Sequence, residues 1–123
     1  MAKIIEIHCE EQVKEIFTTA ISRYAELAYP KESKSECNQA ARESLITAVE
    51  QFEASYQQNG FGILSRRLRA MVKAALETYH LQQEEIAGHK MEAQRQLLFS
   101  VAKGTTTTDQ ELINAMTEDK KAT

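Results

Sequence analysis

Residues that interrupt helices are scarce in this chain and stand at only a few positions. The 123 residues include one proline and four glycines, the two residue types least favourable inside an α-helix. Between them the sequence is rich in alanine, glutamate, glutamine, leucine and lysine, which all favour helices. This spacing predicts an all-α fold, a small helical bundle of three to five helices, in a chain of a length suited to one domain.

The first long segment is typical of an amphipathic helix over residues 10–28. Its apolar residues recur every three or four positions and form one broad stripe, as on the buried face of a helix. The stripe consists of Val13, Ile16, Phe17, Ala20, Ile21, Tyr24, Leu27 and Ala28. The helix should end at Tyr29, because the residue before Pro30 is disfavoured in helical dihedrals.

A second helix is predicted from Ser33 to about Gln57. Ser33 and Glu36 have the spacing of a capping box, in which each side chain accepts a hydrogen bond from a free backbone N–H at the helix start. Asn59 and Gly60 tolerate positive φ and predict a turn after the helix. The inner face should consist of Cys37, Ala41, Leu45, Ala48, Val49, Phe52 and Tyr56.

Residues 63–103 leave two alternatives open. They form one long helix, or two helices separated at Gly88, where glycine inside a helix costs about 1 kcal/mol relative to alanine. One unbroken helix would be too long for a domain of this size to bury and would favour an intermolecular bundle. In either case the inward positions are Leu64, Leu68, Met71, Val72, Ala75, Leu76, Tyr79, Ala87, Met91, Gln94, Leu98, Val101 and Ala102.

The two ends of the chain differ in pattern from its middle. Residues 1–9 are predicted to form an N-terminal extended segment, since Ile5 and Ile7 alternate with polar residues as in a short strand. Such a strand needs a partner, either its copy in a dimer or an edge on another protein; a disordered start or an extra helical turn is an equal alternative. Residues 10–104 are predicted to form the helical core domain. Residues 105–123 are predicted to form a short C-terminal helix and a polar tail.

The C-terminal helix is short and weakly apolar. Thr107 or Thr108 should cap it, and the residues after Thr117 are expected to fray. Its apolar positions are Leu112, Ile113 and Met116.

One stretch of the chain is basic. Residues 59–76 contain no acidic residue. Helical spacing places Arg66, Arg69 and Lys73 on one face, with Arg67 at its border. Such a face is a candidate site for an anionic partner, either phosphate groups or an acidic protein surface. It is also typical of a solvated face, or of one that forms ion pairs with the acidic first two helices.

The histidines offer little evidence of catalysis or metal binding. Glu77 and His80 have the Glu-x-x-His spacing of di-iron bundles, but those need a second copy and two more inward carboxylates. Helical spacing also places both side chains on the same polar side as Lys73, so they are expected to be exposed. His89 lies between Glu85 and Glu92 with similar spacing, which glutamate-rich surfaces often show. We expect no catalytic residue, no metal and no cofactor.

The two cysteines are expected to be reduced and buried. Cys9 and Cys37 both occupy positions on predicted apolar stripes, where free cysteine behaves as a small hydrophobe. His8 is adjacent to Cys9, but neighbouring residues rarely face one another, and no third group to orient them is evident. A nucleophile and base pair is therefore not predicted here.

Broad apolar stripes favour self-association, most simply as a two-fold dimer. The predicted function is a non-enzymatic helical protein-interaction module, an adaptor, chaperone-like protein or inhibitor, that acts as a homo-oligomer on another protein. The alternative is a nucleic-acid or anionic-ligand binding protein. Cytoplasmic localisation is expected, because the sequence has neither a secretory leader pattern nor an apolar membrane span. Candidate interface anchors are Tyr24, Tyr29, Tyr56, Phe61 and Tyr79.

Overall fold

The computed structural model describes residues 3–122. Within them the chain forms five α-helices, a two-stranded sheet and a 3₁₀ turn, which confirms the predicted small helical bundle with an extended N-terminal segment. The strands are β1 (Ile4–Ile7) and β2 (Gly62–Ser65), and the 3₁₀ turn is Arg66–Leu68. The helices are α1 (Glu11–Ala28), α2 (Glu36–Asn59), α3 (Arg69–Ala87), α4 (Glu92–Ala102) and α5 (Asp109–Lys121).

The partner that β1 needs lies within the same chain. β1 pairs antiparallel with β2, with Ile4 opposite Ser65 and Ile7 opposite Gly62. The prediction that β2 belongs to the third helix was wrong, since that helix begins only at Arg69. The reason is long-range: pairing with β1 satisfies the β2 backbone, and packing against α2 covers the sheet.

The core lies where α1 packs against α2 and α3 and where the sheet covers α2. At its centre the Phe17 and Phe52 rings stack nearly parallel, with centroids 6.3 Å apart. The predicted stripes supply most of this core: Val13, Phe17, Ala20, Ile21, Leu45, Ala48, Phe52, Val72, Ala75, Leu76, Leu98 and Val101 are buried. Leu27, Cys37 and Ala87 were predicted to face inward but are exposed. Each lies near one end of its helix, where the apolar periodicity continues but no other element packs against the helix.

Helix ends follow the local signals in part. Gly60, at φ 82°, ends α2 as predicted. The capping box at Ser33 was wrong, because α2 begins at Glu36 and its cap is Ser35, whose hydroxyl accepts the Asn38 N–H at 3.3 Å. The Ser33 hydroxyl instead accepts the Ser35 N–H at 3.3 Å, inside the connection between α1 and α2.

Gly88 separates two helices, so the alternative of one long helix is excluded. It adopts φ 77°, a left-handed conformation that ends α3, and its N–H donates to the Glu84 carbonyl at 2.8 Å. The chain then reverses, and α4 packs back against α3. Within residues 3–122, no helix has both the length and the hydrophobicity that crossing a bilayer requires.

Residues 118–121 are helical and Asp119 among them is buried, contrary to the prediction of a frayed tail after Thr117. Thr108 caps α5, as predicted. Asp119 is only 4% exposed, and its carboxylate accepts the backbone N–H groups of Ala93 and Gln94 at 2.8 and 3.0 Å. These are donors in the first turn of α4 that lack a partner within that helix. A side chain of α5 thus caps α4.

A basic groove as the candidate binding site

A groove forms where the end of the sheet, the start of α3 and the end of α4 meet. Its floor is apolar and its rim is basic. It consists of two adjoining clefts that share Ile5, Arg69 and Lys103. Taken together, the floor residues are Ile5, Leu64, Val72 and Ala102, and the rim residues are Arg66, Arg69, Lys73 and Lys103. We call this surface the basic groove and these four side chains the rim cations. The chain reaches this shape because β2 runs directly into the 3₁₀ turn and α3.

In the part of the chain that the structure describes, the rim cations have neither a charged nor an aromatic partner, unlike most of the other arginines of the protein. All four are exposed, and within residues 3–122 none has an ion pair or a cation–π contact. Away from the groove and from the neighbouring Arg67, the chain provides partners for its arginines: Arg42 with Glu26, Arg95 with Glu77, and Arg23 with the ring of Tyr79. The basic groove therefore brings close together four cations without an ion-pair partner among the described residues.

The structure brings together part of the predicted basic set. Arg66, Arg69 and Lys73 share the basic groove, whereas Arg67 lines a different depression, against α2 and beside Glu43. Lys103 joins the groove from α4 and was missed, because next to Gly104 it looked like an ordinary basic helix ending. Lys103 comes close to Arg69 only because α4 folds back along α3.

One acidic side chain also borders the basic groove. Glu6 lies in the same cleft as Arg66 and Arg69, but its carboxylate is 3.0 Å from Nε2 of His8. The ring of His8 in turn lies against Phe61, with centroids 4.7 Å apart. Glu6 is thus held toward His8 and does not neutralise the rim cations by direct contact.

The five predicted interface anchors are all half-buried and contact their own chain. Tyr24 and Tyr29 meet edge to face at the end of α1. Tyr56 and Phe61 pack near the other end of α1, against the segment between β1 and α1. Tyr79 lies beneath an arginine of α1. The structure does not place them on one continuous surface, and their role as anchors stays a prediction.

His80 is buried, so its expected exposure was wrong. It is 3% exposed, and its Nε2 lies 2.9 Å from a carboxylate oxygen of Glu84. That oxygen also accepts the Met91 N–H at 2.8 Å, and this bond, together with His80, holds the pKa of Glu84 below its usual value. Glu77 turns instead to Arg95 at 3.0 Å. The fold-back of α4 covers this side of α3, which the helical pattern of α3 alone could not indicate.

The residues that resembled metal ligands or a nucleophile do not form such sites. In residues 3–122, no three His, Cys, Asp or Glu side chains are grouped to hold a metal. The Cys9 thiol is buried, and burial together with the charge of Asp109 raises its pKa to about 11. A thiol with that pKa is protonated at neutral pH and is a poor nucleophile. Cys9 and Cys37 are both free, as predicted.

The arrangement at the basic groove suits binding more than chemistry. Its rim carries fixed positive charge, and its floor is formed by buried aliphatic side chains such as Leu64 and Val72. Charge of this kind attracts anions. Comparisons with protein-family models, curated proteins and solved structures find no match to this chain.

Proposed function

We propose that this protein is a non-enzymatic binding protein that engages an anionic partner through the basic groove. The observation that carries the proposal is the convergence of four unpaired cations from the 3₁₀ turn, α3 and α4. Like charges held near one another repel, and a bound carboxylate or phosphate group relieves that repulsion. The cytoplasm is the location that we propose for this activity.

The basic groove is formed by three elements, whereas a basic face that is only exposed to solvent needs one helix. Positive side chains along one exposed helix face are common on protein surfaces, but Lys103 reaches the groove from a different helix than Arg69 and Lys73. The half-buried Ile5 and Ala102 beneath them add a small apolar contact area that a solvated face does not need. Both features fit a surface that a partner covers.

Charge reversal in the basic groove tests the proposal. We expect Arg66→Glu with Arg69→Glu to weaken binding of fluorescent polyglutamate by about a hundredfold at low salt, because two attractions become repulsions. Fluorescence anisotropy measures the affinity, and rising salt should weaken binding by the unchanged protein. The matched control is Arg67→Glu with Lys34→Glu, which makes the same change of net charge outside the groove. Equal loss in both double variants, or no polyanion binding by the unchanged protein, would refute the proposal.

We propose as a second function that the chain self-associates through α5. A cleft of about 360 Å³ separates α5 from the turn between α3 and α4. Its lining includes Met91, Ile113 and Met116, and the last two are 43% and 46% exposed. Two copies related by a two-fold axis would cover these side chains mutually. Light scattering should give a dimer mass for the unchanged protein and a monomer mass for Met116→Glu; a monomer in both cases contradicts self-association.

A further inference from the structure

The outer edge of β1 has unused backbone hydrogen-bonding groups. The Arg66 N–H donates to the Lys3 carbonyl at 2.9 Å. In an antiparallel pair, alternate residues bond to the partner strand and the others point away from it. Residues 3, 5 and 7 therefore face β2, while Ile4 and Glu6 direct their N–H and C=O groups outward. Within residues 3–122 these outward groups have no hydrogen-bond partner.

Just beyond β1, at His8, the same edge of the chain already accepts a backbone hydrogen bond. The Thr107 N–H donates to the His8 carbonyl at 3.0 Å, in a parallel bridge between Cys9 and Thr107. This bond confirms that even-numbered residues point away from β2. It also limits what can be added, because a new strand has only the short stretch at Ile4 and Glu6 to pair with.

This free edge lies beside the basic groove. Ile4 and Glu6 line one cleft of about 330 Å³ together with Arg66, Arg69 and Lys103. Strands pair at a spacing of about 4.8 Å, so a segment paired with the outer edge of β1 would lie about two spacings from β2 and from Arg66, which follows it. Long acidic and basic side chains meet across the cleft at that separation. The edge also lacks the usual protection of a proline, and Ile4 is 47% exposed. Backbone pairing and positive charge are thus offered to the same ligand.

From this juxtaposition we infer that the partner is an extended acidic segment of another protein. The segment adds to β1 as a short third strand at Ile4 and Glu6, and it places carboxylates among Arg66, Arg69 and Lys103. The inference rests on the proposed function of the basic groove. A nucleic acid would use the cations but has no peptide backbone to pair with the outward N–H and C=O groups, so the edge favours a peptide.

Hydrogen exchange tests the added strand in the unchanged protein. The probe is a short peptide of alternating glutamate and valine, and NMR follows the backbone amides. On addition of the peptide, the Ile4 and Glu6 amides should become protected, whereas the Ile5 and Ile7 amides, already paired with β2, should change little. Peptide binding without new protection at Ile4 and Glu6 would overturn the added strand while leaving the basic groove as the binding site.

A proline substitution isolates the backbone contribution. Ile4→Pro removes one outward N–H but no hydrogen bond to β2, and proline is tolerated on an edge strand. It should weaken peptide binding about three- to tenfold, which corresponds to the loss of one net hydrogen bond. Ile4→Ala, which keeps the N–H, is the matched control, and thermal unfolding checks that both variants fold. Equal affinities of Ile4→Pro and Ile4→Ala would argue against strand addition.

The remaining outcomes separate the two proposals. If Arg66→Glu with Arg69→Glu abolishes binding but Ile4→Pro has no effect, the groove binds anions without an added strand. If a single-stranded oligonucleotide binds more tightly than the peptide, the partner is a nucleic acid and the peptide inference fails. If β1 pairs with β1 of a second copy, the Ile4 amide is protected without peptide, which also contradicts it. If neither these probes nor polyglutamate binds, the proposed function itself fails.

Discussion

Gly62→Ala should destabilise the fold by about 1–3 kcal/mol, the usual cost of inserting a methyl group into a packed core. Glycine to alanine within a strand would otherwise tend to stabilise. Here an added Cβ would lie 2.4 Å from two ring carbons of Phe52. Phe52 is fully buried and stacked on Phe17, so its ring cannot withdraw without disturbing the centre of the core. Urea unfolding measures the change.

A double-mutant cycle identifies the cause of that loss. Phe52→Leu alone leaves a partial cavity and costs stability, but it removes the ring that the new methyl group meets. Combined with Gly62→Ala, it should recover about 1 kcal/mol relative to the sum of the single changes, as residues in direct contact do. Strictly additive effects would show that the clash with Phe52 is not the reason for glycine at this position.

Asp119→Ala should cost about 2–3 kcal/mol, because it removes two charge-assisted hydrogen bonds and leaves one buried and one partly buried donor without a partner. Those donors are the Ala93 and Gln94 N–H groups in the first turn of α4. A carboxylate at a helix start also interacts favourably with the helix dipole. We expect a lower urea midpoint and faster hydrogen exchange of the Ala93 and Gln94 amides.

The neighbouring residue offers the control for Asp119. Glu118 lies on the same helix but is exposed, so Glu118→Ala should change stability by less than about 0.5 kcal/mol. If Asp119→Ala were as mild as Glu118→Ala, α5 would not be essential for holding α4. Self-association through α5 is tested at a different residue, Met116, so the two experiments remain independent.

The candidate site was predictable only where its residues are neighbours on one helix. Arg66, Arg69 and Lys73 are close in sequence, so helical spacing alone suggested a shared basic face. Lys103 belongs to another helix, and Arg67 points elsewhere because the segment begins as a strand and a 3₁₀ turn rather than as a helix. The β1 edge completes the site only because β1 pairs with β2.

Local rules determined where most helices lie and where several of them end. The apolar stripes of α1 to α4, the break before Pro30 and the left-handed glycines Gly60 and Gly88 follow from side-chain periodicity and backbone dihedrals. These preferences act over a few residues, so they can be read from the sequence without knowing the partners of a helix.

Tertiary contacts decided the strand at Gly62 and the burial of His80 and Asp119. The start of α4 supplies the distant backbone donors that allow Asp119 to be buried, and the packing of α4 against α3 covers His80. A glycine can likewise be required by a ring ten residues away in sequence, as Gly62 is by Phe52. Local sequence patterns do not specify such partners, because these contacts stabilise the fold only when elements distant in sequence pack together.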